Sequence, residues 1–330
     1  MTLRIVFTRD DLQCVRVADR PDLMWELVQS LHQIQDPAPD TRYSAWHRET
    51  RHRIHGHDGA GALLGPLCTL VPAQGTFPDF LTPTADIPDI ETGCERIVCT
   101  GRTLLERDLR SVFASRPAPS WIRDLAAGDR GMLTEVAAAL HGAYDLLVRP
   151  RWSAVQDDVR ADRARRMRTL SSAGVGGLLS GIPGVLGWDG EVLRVRYALD
   201  RTLHLGGRGI TLVPSHFCWP NPISLIDPEL PPTLVYPATP ADPERGDDDV
   251  RHLEALLGPN RAACLLVLRK PYTTSALADR VGISAGSASK QATCLRESGL
   301  VVSERQGNAV VHRVSELGKA LLAGRIPAYA

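Results

Sequence analysis

The chain has 330 residues, 43% apolar and 23% charged, which is globular rather than disordered or fibrous composition and long enough for two domains with separate cores. Its formal charge is zero, so the overall balance singles out no partner. The seven cysteines are odd in number, scattered and without a C-x-x-C pair, which excludes a disulfide framework and suits reduced thiols.

The opening residues, Met1-Thr-Leu-Arg-Ile-Val-Phe-Thr-Arg-Asp, carry charges where a signal peptide needs an apolar stretch. No apolar run approaches the ~20 residues of a spanning helix. A soluble, cytoplasmic protein with no membrane partner is expected. Pro21-Asp22 opens a helix with Leu23, Leu27, Val28, Leu31 and Ile34 on one face, closed before Asp36-Pro37. The tract Trp46–Asp58 crowds His47, His52, His55 and His57 with Glu49 and Asp58. Imidazoles and carboxylates are metal ligands, but these spacings match no common site, and Arg48, Arg51 and Arg53 repel a cation. The tract reads as an exposed basic loop, and no metal or cofactor is expected.

Residues 94–114, 130–148 and 153–170 read as helices, the first carrying Ile97, Val98, Leu104, Leu105 and Leu109. In the last, Asp157, Asp158 and Asp162 interleave with the arginines of 160–168, which reads as a solvated helix at a domain junction. Beyond Gly181 the texture turns to short apolar runs. Thr202-Leu-His-Leu and Ile210-Thr-Leu-Val flank Gly206-Gly-Arg-Gly and read as a hairpin, with Thr233-Leu-Val-Tyr as a further strand. Residues 237–249 are Pro, acid and small side chains, a linker that can form no core.

From Gly258 onward, ten Lys/Arg face four Asp/Glu, so the neutral chain ends in a basic module. Ala262–Leu268 is an apolar helix stopped by Pro271. Thr273-Thr-Ser-Ala-Leu-Ala-Asp-Arg-Val-Gly is a short helix with hydroxyl caps and a terminal glycine. A second short helix follows Ser284, and the small residues Ala278, Gly282, Ala288 and Ala292 let the two cross closely, as in a helix-turn-helix. Ser284, Ser287, Ser289, Lys290, Gln291 and Thr293 give the second helix a surface suited to phosphate and base edges. Val301 onward and Ala309-Val-Val-His-Arg-Val read as a β-hairpin wing, with Arg305, Gln306, Asn308 and Arg313 placed for phosphate or minor-groove contact.

This segment is similar to the ArsR-type winged helix-turn-helix regulators. The likeness is carried by Leu257-Gly-Pro-Asn-Arg-Ala, Ala276-Leu-Ala-Asp-Arg-Val-Gly-Ile-Ser, Ala288-Ser-Lys-Gln-Ala-Thr-Cys-Leu-Arg-Glu-Ser-Gly-Leu-Val and Gly307-Asn-Ala-Val-Val-His-Arg-Val, about a quarter of the chain. It implies a homodimer on a palindromic operator in double-stranded DNA, usually a repressor released by a ligand. Metal-sensing members carry a Cys-x-Cys motif at the start of the first of these helices, where this chain has Tyr272-Thr-Thr-Ser-Ala-Leu. Cys264 and Cys294 are single, on apolar faces. The rest of the chain resembles the large domain that precedes an ArsR-type winged helix in many actinobacterial regulators. That likeness rests on Pro21-Asp-Leu-Met-Trp-Glu-Leu-Val-Gln-Ser-Leu, Leu212-Val-Pro-Ser-His-Phe-Cys-Trp-Pro and Leu234-Val-Tyr-Pro-Ala, and it implies an architecture rather than a ligand.

The expected fold is mainly α with small β elements: an α+β sensing or dimerisation domain over 1–236, and a winged helix-turn-helix over 250–330. No nucleophile elbow or phosphate loop is present, so no catalytic residues are expected. The expected function is nucleoid-associated transcriptional regulation. All six tryptophans lie before residue 220, either lining an effector pocket for a small organic molecule or serving as ordinary core. The alternative is a ligand-independent DNA-binding protein whose first domain is a dimerisation or interaction scaffold.

Overall fold

The computed structural model describes residues 1–330 apart from 38, 74, 84–86, 115, 226, 241–252, 255, 270, 307–308 and 323–330; of residues 41 and 306 it describes the backbone alone. The chain divides into two units, Met1–Ala241 and Asp242–Ala330. The division falls inside the Pro- and Asp-rich stretch expected as a linker, whose residues 241–249 lie outside the described ones. No helix among the described residues is long and apolar enough to cross a membrane.

The N-terminal unit is mixed α/β and, among the described residues, has two four-stranded sheets, more β structure than the texture of the sequence suggests. In the first sheet β1 (Thr2–Val6) lies between β4 (Val192–Arg196), antiparallel, and β5 (Arg201–His204), parallel, with β3 (Val185–Trp188) outside β4. The charged opening of the chain is therefore a strand. Leu3 and Ile5 point into the core while Arg4 faces out, the alternation of a half-buried strand. In the second sheet β2 (Val15–Val17), β6 (Ile210–Ser215) and β8 (Thr233–Pro237) run parallel, and β7 (Ile223–Ser224) closes the edge antiparallel to β8.

The expected hairpin about Gly206-Gly-Arg-Gly does not form, because β5 and β6 belong to different sheets. The cause is local. A short helix α1 (Arg9–Gln13) carries Asp11, whose Oδ2 closes a capping box with Thr8 while its Oδ1 accepts the Gly209 amide at 2.8 Å. This bond, together with the pairing of β6 on β2, takes the chain to the other sheet instead of back along β5.

Among the described residues, eight further helices are α2 (Leu23–Gln35), α3 (Ser44–His55), α4 (Ala60–Leu70), α5 (Ile90–Val98), α6 (Arg102–Val112), α7 (Trp121–Ala126), α8 (Arg130–Leu147) and α9 (Trp152–Ser180). α2 begins where Asp22 accepts the amides of Met24 and Trp25 at 3.1 Å each. It is buried almost all round, Glu26, Gln29, Ser30 and Gln33 included, rather than on one apolar stripe. Leu27, Val28 and Leu31 are fully buried, each worth ~1.5–3 kcal/mol. The helix expected at 94–114 is two helices, separated at Cys99-Thr-Gly101. α9 is longer than expected and is interrupted at Gly174, whose φ of 66° and ψ of −170° no helix contains.

The histidine-rich tract is a helix, α3, not a loop: Trp46 and His47 turn inward and leave the other imidazoles outside. The arginine-rich part of α9 is likewise not wholly solvated. Asp162 and Arg166 are buried and paired at 2.9 Å, and Asp162 also accepts Tyr236 Oη at 2.7 Å and the Thr239 amide at 3.1 Å. These bonds tie the end of β8 to α9, so the four-residue spacing of Asp162 and Arg166 serves an interior joint.

A second polar joint holds the turn Ser215–Pro220 beyond β6. Tyr43 Oη donates to the His216 carbonyl at 2.5 Å, Gln33 Nε2 donates to the Phe217 and Trp219 carbonyls at 3.1 Å each, and Asp158 Oδ2 lies 2.6 Å from His216 Nδ1. The motif Leu212-Val-Pro-Ser-His-Phe-Cys-Trp-Pro is thus the seam between the helical core and the second sheet.

Candidate nucleic-acid interface

The C-terminal unit is built on α10 (Pro259–Val267), α11 (Thr274–Val281), α12 (Ala285–Glu297) and α13 (Glu316–Leu322), with a three-stranded sheet in the order β10 (Val301–Gln306), β11 (Ala309–Val314), β9 (Tyr272–Thr273). Thr273 caps α11 by accepting the Ala276 amide. Gly282 ends it at φ 73°, and the Gly282 and Ile283 amides both return to the Ala278 carbonyl. Ser284 starts α12 two residues later, its hydroxyl accepting the Ser287 amide at 3.2 Å. Ala278, Ala288 and Ala292 are buried between the helices, as close crossing about a tight turn requires.

Beyond α12 the chain turns at Gly299, φ 74°, into the antiparallel pair β10–β11. α13 then crosses that turn at Gly318, where a Cβ would lie 2.2 Å from the Leu300 carbonyl oxygen. The inner face of β11 carries His312, which is buried. Its Nδ1 lies 2.7 Å from Ser303 Oγ and its Nε2 lies 2.9 Å from Thr274 Oγ1, so one imidazole links both strands to the first turn of α11. Burial, aided by the charge of Arg296, holds its pKa below the ordinary histidine value.

The expected contact residues are distributed as follows. Ser284, Ser289, Lys290 and Thr293 are exposed on α12, with Ser287 and Gln291 half-buried. Arg305 is exposed on β10. Gln306 ends that strand, and Asn308 lies outside the described residues. Arg313 is exposed but engaged, donating across the strands to Glu304 at 2.9 Å. Lys290, Arg305 and Arg296 are exposed and, among the described residues, have no ion-pair partner. Arg296 was not among the expected contacts; its place one turn beyond Thr293 on α12 is the signal that marks it. Arg280 is taken up instead over the Tyr272 ring at 5.3 Å.

The six tryptophans divide. Trp25 and Trp46 are core, Trp152 and Trp188 pack edge-on to Tyr144 and Phe7, and Trp219 borders a small polar pocket with His32 and Asp36. Trp121 borders a larger, mainly apolar groove of about 620 Å³ between α4, α7 and α8. Among the described residues no three His, Cys, Asp or Glu side chains are grouped to hold a metal ion. Set against known protein families, curated proteins and solved structures, the chain matches none.

Proposed function

We propose that the C-terminal unit is a winged helix-turn-helix that binds double-stranded DNA, and that the chain is a nucleoid-associated transcriptional regulator acting by binding rather than by catalysis. The observation that carries this reading is the succession α11, Gly282 turn, α12 and β10–β11 hairpin, with Lys290 and Arg305, unpaired among the described residues, on exposed positions of the second helix and the hairpin. In this reading α12 enters the major groove, Ser284 and Ser287 present the helix start to phosphate, and Ser289, Lys290, Gln291 and Thr293 meet base edges. The hairpin forms the wing, with Arg305 and Arg296 against the backbone. A homodimer would read half-sites ~34 Å apart, and repression relieved by an organic effector fits the resemblance to ArsR-type regulators.

The scaffold alternative draws support from α2, a filled helical core. The groove bordered by Trp121 favours the effector reading, since its volume falls within the ~300–1,000 Å³ of ligand sites. The test is a titration of the full chain with duplex selected from a random pool, over a range of salt. Lys290→Ala and Arg305→Ala are each expected to weaken binding and to lower the salt slope by about one, and Arg313→Ala, already paired with Glu304, to do less. Unchanged affinity in both of the first two variants would remove the proposed docking face.

A further inference from the structure

We propose that the groove between α4, α7 and α8 is a binding site for an organic cation with a bulky apolar body. The inference deepens the effector reading above by naming the site and the ligand class. The groove is lined by Leu63 and Pro66 of α4, Trp121 of α7, and Met132, Glu135 and Ala139 of α8, with Val136 and two further alanines filling the remainder. Leu63, Trp121, Met132 and Ala139 pack on the core and are only partly buried, so apolar surface stays open around a space of about 620 Å³. Drug-sized molecules occupy sites of this size and lining.

The groove is open because its floor is small. Leu63 of α4 sits on Gly142 of α8, at which a Cβ would come within 2.2 Å of Leu63 Cδ1. Elsewhere the facing side chains are Ala62, Ala138 and Ala139, too short to fill the gap.

The polar groups in this lining have one sign. Glu135 is exposed and, among the described residues, has no hydrogen-bond or ion-pair partner. Pro66 of α4 has no N–H to give the Ala62 carbonyl four residues earlier, so that helical hydrogen bond is missing beside the groove. Among the described residues no Lys, Arg or His lines the groove. The Trp121 ring adds a negative π-face, which attracts a cation within ~6 Å. An apolar trough with a carboxylate and an indole selects a cation over an anion of the same shape.

Tetraphenylphosphonium and tetraphenylborate are such a pair, alike in shape and opposite in charge. Calorimetric titration of each into the full chain, without DNA, is expected to show the cation binding at least tenfold more tightly. Glu135→Gln, at an exposed position, is expected to weaken the cation about two- to fivefold, the range of exposed ion pairs, and to leave the anion unchanged or stronger. Ala138→Trp is expected to abolish binding while the tryptophan-monitored melting curve of the core stays in place. Equal affinities for the two ions, no binding of the cation at millimolar concentration, or an ion preference untouched by Glu135→Gln would each overturn the proposal. Because DNA is absent, the result is independent of whether the C-terminal unit binds an operator.

Discussion

The carboxylate of Glu26, on the buried helix α2, accepts the hydroxyl of Ser215 at 3.0 Å across 189 residues of sequence. The same carboxylate takes the amides of His216 at 2.8 Å and Phe217 at 3.0 Å, so one side chain satisfies three donors at the end of β6 and in the turn that follows. A polar residue inside a helix packed all round by apolar neighbours is tolerated because each oxygen has a partner. Glu26→Ala removes every acceptor and strands donors in the interior. The expected loss is about 3–5 kcal/mol, read as a lower denaturant midpoint by tryptophan fluorescence. All six tryptophans lie in the N-terminal unit, so the signal reports that unit alone.

Asp108 on α6 accepts the Phe80 amide at 2.7 Å, close to Asp79 and Asp227. Burial, with the negative charge of Asp79 adding to it, pushes its carboxyl up to about 7. The folded chain therefore holds a proton that the unfolded chain releases near pH 4. The resulting stability is fully present below that point and is lost as pH rises toward 7, by at most ~1.4 kcal/mol per pH unit for one proton. His32, held down to about 4 by burial, acts in the same window with opposite sign. The comparison is thus between the chain and Asp108→Asn, which keeps an acceptor for the Phe80 amide. Denaturant midpoints between pH 4 and 7.5 should show the downward contribution of Asp108 missing from the variant. Parallel curves for the two proteins would exclude a proton held at Asp108.

In the C-terminal unit His312 is held neutral between Thr274 and Ser303. Its pKa is lowered, so protonation favours the unfolded state, and the contribution is lost as pH falls below the ordinary histidine value. His312→Phe keeps the bulk, loses two hydrogen bonds and is expected to cost about 1–2 kcal/mol. Hydrogen exchange of the β9 and β11 amides is the measurement. Protection should fall between pH 7 and 5 in the parent chain, after correction for intrinsic exchange, and stay level in the variant.

His312 also shows where sequence reasoning ran out. The boundaries of α11 and α12 were legible because caps and glycines are local signals: Thr273 and Ser284 each accept an amide three residues on, and the Gly282 amide donates to the Ala278 carbonyl four residues back. The exposure of Lys290 and Arg305 followed from the same helix and hairpin. The engagement of Arg313 by Glu304 needed the strand register, and the role of His312 needed the position of Thr274, 38 residues away. In the N-terminal unit α2 and α8 were visible from their periodicity. The sheets were not, since β1 pairs with strands nearly 200 residues later and its alternation covers only five residues.

The glycine-rich turn between β5 and β6 gives the sharpest test of that long-range architecture. Gly206, Gly207 and Gly209 all have positive φ, at 64°, 85° and 69°. A Cβ on Gly206 or Gly207 would meet nothing within 4 Å, whereas one on Gly209 would lie 2.3 Å from the Cys14 carbonyl oxygen. Gly206→Ala therefore carries only the backbone penalty of the left-handed region, about 1–2 kcal/mol. Gly209→Ala adds a collision with backbone that has no rotamer to change, and it disturbs the amide held by Asp11. The expected destabilisation is about 3–4 kcal/mol, with β2 and β6 losing exchange protection together. Equal stability of the two variants would mean that the turn is free of Cys14, and the parallel pairing of β2 with β6 would lose its explanation.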